Sequence, residues 1–251
     1  MSKSRYVTGL RAVEQLLIGG ASGIRQIYAE YQTENPRVQA VISDASKAGI
    51  EIQAANRARL TQISGEARHQ GLVAEVRRST VMDEAGLRTM IEERLQRDAA
   101  ARVLLLVLDG VQDPHNLGAC MRTADAAGVD AIVVPRHGAA GLGPTVSKVA
   151  AGAAEQLPFV PVANLGRVLA WLRDYGVRCA GTSDKADSSL FDADLTGSVA
   201  LVMGREHSGL SKGIASRCDL LVNLPMRGAV TSLNVSVATG ICLYEIVRQG
   251  R

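Results

Sequence analysis

The chain has 251 residues, 47% hydrophobic and 21% charged, with 28 basic against 25 acidic side chains and a formal net charge of +3. That length suits one or two globular units of about 100–200 residues each, and the composition excludes a disordered or collagen-like chain. No window approaches the roughly 18 uninterrupted apolar residues of a membrane helix, and the opening MSKSRYVTGL lacks the apolar stretch of a signal peptide. A cytoplasmic protein with no membrane contact is the expectation.

Charge is spread evenly, with 14 basic and 12 acidic residues up to position 100 and 14 and 13 after it. An anionic partner would therefore be met by a local patch, for which Arg57, Arg59, Arg68, Arg77 and Arg78 are candidates. With only 3% aromatic residues, an RNA-stacking platform of several rings is not expected.

The first stretch alternates helical and strand-like patterns. Thr8 stands as a candidate N-cap before LRAVEQLLIGG, where Leu10, Val13, Leu16 and Leu17 recur at helical spacing and Gly19 and Gly20 close the pattern. RQIYAE reads as a strand. Asn35 and Pro36 then open a second helix in their favoured cap and first-turn order, running through Val38, Val41, Ile42 and Ala45 to Gly49. Strand IEIQA, a short helix around ARLTQI and strand LVAEV complete a small α/β unit, residues 1–78. Residues 79–100 read as a helical connector with one narrow apolar stripe, Leu87, Met90, Ile91 and Leu95.

From residue 101 the texture changes. RVLLLVL, DAIVVP, PFVPV, VRCAGT, VALVMG and LLVNLP are near-continuous apolar runs separated by helix-like segments. Runs without polar alternation mark strands covered on both faces, so residues 101–251 are expected to form a parallel α/β sheet. Cys120, Cys179, Cys218 and Cys242 lie far apart in apolar text, which reads as reduced core thiols, with neither a disulfide framework nor a metal site.

Ligands of open α/β sheets bind beyond the carboxyl ends of the strands, so three loops draw attention. After RVLLLVL, Asn116 stands at a helix start and Arg122 six residues on, with Gly118 allowing close approach of an anion to the helix end. After VALVMG come Glu206 and His207. After LLVN, a glycine- and hydroxyl-rich turn leads Ser232 and Asn234 into the last helix. A dinucleotide fingerprint is missing, because Gly141-Leu142-Gly143 is followed by Val146 where a third glycine is required. No phosphate-loop, hydrolase-elbow or zinc-protease motif is found either.

Taken in order, NLGACMRTA (116–124), LVMGREHSGL (201–210) and LPMRGAVTSLNVSVA (224–238) resemble the three motifs of the SpoU-type RNA ribose 2′-O-methyltransferases. VTGLRAV (7–13) and HQGLVA (69–74) resemble that family's RNA-recruiting N-terminal domain, so the likeness covers nearly the whole chain. Within the family it is greatest to bacterial enzymes that methylate a guanosine ribose in 23S rRNA. The same chemistry on tRNA, and a non-catalytic RNA-binding protein of the same fold, are the alternatives.

The resemblance implies a C-terminal domain tied in a deep trefoil knot, a homodimer, and S-adenosylmethionine (S-adenosyl-L-methionine) held at Thr182, Gly204, Leu224, Met226 and Leu233. It also implies a catalytic set of Arg122, Asn116, Glu206, Asn234 and Ser232. An arginine guanidinium stays protonated at neutral pH, so Arg122 suits a clamp on the phosphate beside the target ribose better than a general base. Arg205 and Arg227 depart from the family pattern and are candidate phosphate contacts.

Overall fold

The computed structural model describes residues 5–18, 24–76, 81–98, 100–206 and 208–250. Two sheets organise the chain. The first has four strands, β1 (Arg5–Thr8), β2 (Ile24–Glu30), β3 (Glu51–Ala55) and β4 (Leu72–Val76), in the order β1-β4-β2-β3. β4 runs antiparallel to both β1 and β2, whereas β2 and β3 are parallel. Helices α1 (Leu10–Ile18) and α2 (Pro36–Lys47) cover one face, burying Leu10, Val13 and Leu16 from the first and Val38, Val41 and Ala45 from the second. Against them lie Val7, Ile27, Leu72 and Ala74. Helix α3 (Arg57–Ser64) covers part of the other face, setting Leu60 on Ala55 and Val73.

Caps explain most of these boundaries. Asn35 and Asn56 accept from the backbone of Arg37 and Arg59 and so start α2 and α3. Thr8 does not cap α1. It ends β1, and its hydroxyl donates to Glu66 at 2.8 Å. The cap comes from 60 residues away, where Gln70 Oε1 accepts from the Leu10 N–H at 3.0 Å. Gln70 itself sits at φ 53°, between His69, whose Nδ1 accepts from Gly71, and the strand β4. The segments VTGLRAV and HQGLVA thus lock together. Gly19 and Gly20 lie outside the described residues.

The second sheet has seven strands, all parallel: β5 (Leu104–Leu108), β6 (Ala131–Pro135), β7 (Phe159–Val162), β8 (Arg178–Thr182), β9 (Ser188–Ser189), β10 (Val199–Met203) and β11 (Leu220–Asn223). Their order is β7-β6-β5-β10-β8-β11-β9. The apolar runs arise because alternate residues enter different cores: Leu106, Leu108, Leu201 and Met203 face one layer, while Leu105, Val107, Ala200 and Val202 face the other. The first layer holds α5 (Pro114–Ala126), α6 (Pro144–Ala150), α7 (Ala153–Gln156) and α10 (Val235–Gln249). The second holds α4 (Glu84–Arg97), α8 (Leu165–Leu172) and α9 (Lys212–Ala215). Each fully buried leucine contributes about 1.5–3 kcal/mol relative to exposure.

The connector stripe is folded into this body. Leu87 and Ile91 are completely buried in the second layer, with Met90 and Leu95 packed beside them. Glu84 accepts from Arg167 at 2.7 Å and from the Trp171 indole at 3.2 Å, and the Arg88 guanidinium lies 4.2 Å above the Trp171 ring. The four thiols are free; three are buried and Cys218 is half-buried. Burial pushes Cys179, Cys218 and Cys242 up to about 12.

Candidate active site

Strands β10, β8 and β11 are neighbours and parallel, so Gly204, Thr182 and Leu224 emerge at one carboxyl edge of the sheet. Thr182 Oγ1 stands 3.5 Å from the Val202 carbonyl and 3.6 Å from the Met203 sulfur. Gly204 is buried where the chain turns back on itself, and a Cβ there would collide with the backbone of Gly209 and Leu210. Leu224 and Met226 are half-buried and Leu233 is more exposed. From Leu224 to Leu233 no backbone N–H or C=O is hydrogen-bonded to another described residue.

The start of α5 lies at the same edge. Asp113, not Asn116, is its N-cap, accepting from the His115 N–H at 2.9 Å. Asn116 therefore sits inside the first turn, buried, with its side-chain amide free for other partners. Its Nδ2 donates to Glu206 Oε1 at 3.2 Å, and its Oδ1 accepts from Asn234 Nδ2 at 2.9 Å. Asn234 also caps α10, its Oδ1 accepting from the Ser236 N–H at 2.8 Å. One chain of amides and a carboxylate thus joins all three loops.

The helix end is not open to an anion, because the carboxylates of Asp113 and Glu206 occupy it; Glu206 accepts from the Asp113 N–H at 3.4 Å. Gly118 serves packing instead. A Cβ on it would lie 2.7 Å from Val149 Cβ and 2.8 Å from the Val146 carbonyl, so its lack of a side chain lets α6 close on α5. One turn further, burial, reinforced by Glu206, pushes the Cys120 thiol up to about 11.

Arg122 and Ser232 are exposed, and neither makes a side-chain hydrogen bond or ion pair among the described residues. Arg122 therefore stays outside the Glu206–Asn116–Asn234 chain. His207 lies outside the described residues, as do Arg77 and Arg78. In the candidate basic patch Arg57 pairs with Glu30 at 2.9 Å and Arg59 with Gln62 at 2.9 Å, while Arg68 is exposed. Sequence reasoning missed Asp113 as the cap, although Asp-Pro is as good a helix opening as Asn-Pro. Among the described residues no group of three or more His, Cys, Asp or Glu could hold a metal ion.

A parallel sheet whose carboxyl-edge loops are cross-linked in this way defines an α/β protein, the class in which ligands bind beyond the carboxyl ends of the strands. The chain belongs to the SpoU rRNA Methylase family, whose model matches residues 103–244, while residues 6–82 match RNA 2'-O ribose methyltransferase substrate binding. It is 47% identical to the 23S rRNA (guanosine-2'-O-)-methyltransferase RlmB of Pseudomonas aeruginosa, over 99% of this chain and 98% of that one. It is 42% identical to the protein of the same name from Coxiella burnetii, over 99% and 97%. Among solved structures, the SpoU methyltransferase AviRb from Streptomyces viridochromogenes, in complex with AdoMet, matches with a TM-score of 0.74 and 27% identity over 99% of this chain and 92% of that one.

Proposed function

We propose that this protein transfers a methyl group from S-adenosylmethionine to the ribose 2′-hydroxyl of a guanosine in 23S rRNA. The full-length relatives carry that activity in their names, and both family matches, one at each end of the chain, agree with it. The observation that carries the reading is the hydrogen-bonded chain Glu206–Asn116–Asn234, which joins the three motif loops at one edge of the sheet.

The residues present fit the cofactor. Thr182, Gly204, Leu224, Met226 and Leu233 would hold it, because the strand ends offer apolar side chains and the span from Leu224 to Leu233 offers unpaired backbone groups. When bound, S-adenosylmethionine supplies an electrophilic methyl carbon on a sulfonium centre. Asn116, Glu206 and Asn234 fix the loops around the acceptor ribose, with Ser232 beside them. Orientation of this kind contributes up to about 7–11 kcal/mol. Arg122 clamps the neighbouring phosphate and favours negative charge developing on the 2′-oxygen.

Residues 1–78 act as the RNA-binding unit, 79–100 as the connector and 101–251 as the methyltransferase domain, with the segment after β11 passed through a trefoil knot. The working form is a homodimer in the cytoplasm. Supporting the dimer, Leu233, Val237, Ile241 and Tyr244 are exposed apolar residues spaced along one face leading into and along α10. No described helix is long and apolar enough to cross a membrane.

The test is transfer of labelled methyl from S-adenosylmethionine to total RNA from a host lacking the protein, followed by mapping of ribose methylation. One labelled guanosine in 23S rRNA is expected. Label confined to tRNA, or none, would overturn the substrate or the activity.

A further inference from the structure

Two arginines at the carboxyl edge, Arg205 and Arg227, lie in loops joined to the amide chain, and the structure treats them differently. Arg227 is exposed within the span that has no internal backbone hydrogen bonds. Arg205 is held. Its N–H donates to the Gly209 carbonyl at 3.0 Å and its carbonyl accepts from the Gly209 N–H at 3.1 Å, so both backbone groups are fixed. Its side chain lies over Gly110, the residue following β5 and the Asp109 turn. A Cβ on Gly110 would be 2.7 Å from Arg205 Nε, 3.4 Å from Arg205 Cγ and 3.4 Å from the Gly138 carbonyl. Gly110 has φ 85°, a conformation that favours glycine, so the notch that receives the arginine stem is built into the backbone.

Arg205 so seated is an exposed residue and has no acidic partner among the described residues. The nearby carboxylates are committed elsewhere: Asp109 accepts from the Ser211 N–H at 2.9 Å, and Glu206, the next residue along, accepts from Asn116. An arginine oriented by packing but left unpaired loses little side-chain freedom on meeting an anion, and its planar fork matches a phosphate.

We infer that Arg205 is a phosphate-binding residue that grips the RNA backbone next to the reacting nucleotide. The inference rests on the proposed RNA substrate. Phosphate contacts fix register without reading sequence, so Arg205 sets how firmly the target strand lies across the site and leaves the methyl-transfer step to the amide chain and Arg122.

The experiment measures binding of the full-length protein to a 23S rRNA transcript across a salt series of about 50–200 mM, comparing Arg205→Gln and Arg205→Lys with the unaltered chain. Glutamine keeps the stem over Gly110 and removes the charge. The expected result is a salt slope shallower by about one for Arg205→Gln, a raised RNA KM, and unchanged kcat and S-adenosylmethionine affinity. Arg205→Lys should keep the slope, as should Arg97→Ala, which removes a charge on α4 far along the chain. An unchanged slope in Arg205→Gln, or a loss of cofactor affinity in its place, overturns the inference while methylation by the unaltered protein leaves the proposed function standing. If the unaltered protein neither binds nor methylates the transcript, the proposed function itself fails.

Discussion

The side-chain amide of Asn234 donates to Asn116 across 118 residues of sequence while its oxygen caps α10, so a single asparagine fixes both the last helix and the buried amide of α5. Asn116 can satisfy Asn234 and Glu206 together only with its oxygen toward the first and its nitrogen toward the second. The orientation of all three side chains is therefore mutually determined.

Asn234→Asp separates these two duties. A carboxylate still caps Ser236 but cannot donate to Asn116. Folding should weaken by about 1–3 kcal/mol, because the buried Asn116 oxygen loses its donor and faces a carboxylate, and kcat, measured where the variant is still fully folded, should fall about 10–100-fold. Steady-state methyl transfer at saturating RNA measures it, and full activity would show that the chain does not order the site.

Arg122 is exposed and unpaired among the described residues, so replacing it should leave unfolding within about 0.5 kcal/mol of the unaltered chain. Activity should respond differently. Arg122→Lys keeps the charge but not the two-point fork, and should lose more than about 90% of the rate. Retention of most of the activity would rule out the clamp.

Gln70→Ala removes the cap on α1 and should cost about 0.5–2 kcal/mol in urea unfolding. Gln70→Gly removes the same cap but relieves the positive φ, so it should cost less. Equal losses would mean that the backbone conformation at this position stores no strain.

The cysteines predict an alkaline limit. Burial raises Cys120 to about 11 and Cys179, Cys218 and Cys242 to about 12, above the 9.0 of an unperturbed thiol. Above pH 9 the unfolded chain loses these protons and the folded chain keeps them, so stability is full below that value and declines as pH rises toward 11–12. Urea midpoints between about pH 8 and 10.5 should fall with pH, and four thiol-to-alanine changes together should flatten the decline. A flat profile in the unaltered chain would contradict it.

Where local chemistry decides structure, the sequence is readable. The runs became parallel strands, and those at the centre of the sheet, RVLLLVL and VALVMG, are covered on both faces, while Asn35-Pro36 opened its helix because cap and first turn are adjacent in the chain. Long-range partners were invisible. Thr8 looked like a cap only because Gln70, the real one, is 60 residues distant. Asn116 looked like a helix start because nothing local reveals that Glu206 and Asn234 hold it. The two-residue strand β9 is too short to leave a pattern, and the seat of Arg205 depends on a glycine from another loop.

The span from Leu224 to Leu233 is tethered at both ends by asparagine amides, Asn223 to the Ala186 carbonyl at 2.5 Å and Asn234 to Asn116 at 2.9 Å. Between those moorings it is a suspended bridge, whose backbone groups have no hydrogen-bond partner among the described residues. Occupancy would then be written into its hydrogen-exchange rates: the nine backbone N–H groups of these ten residues, Pro225 having none, would slow together as ligand arrives, while the strands on either side hold their protection throughout.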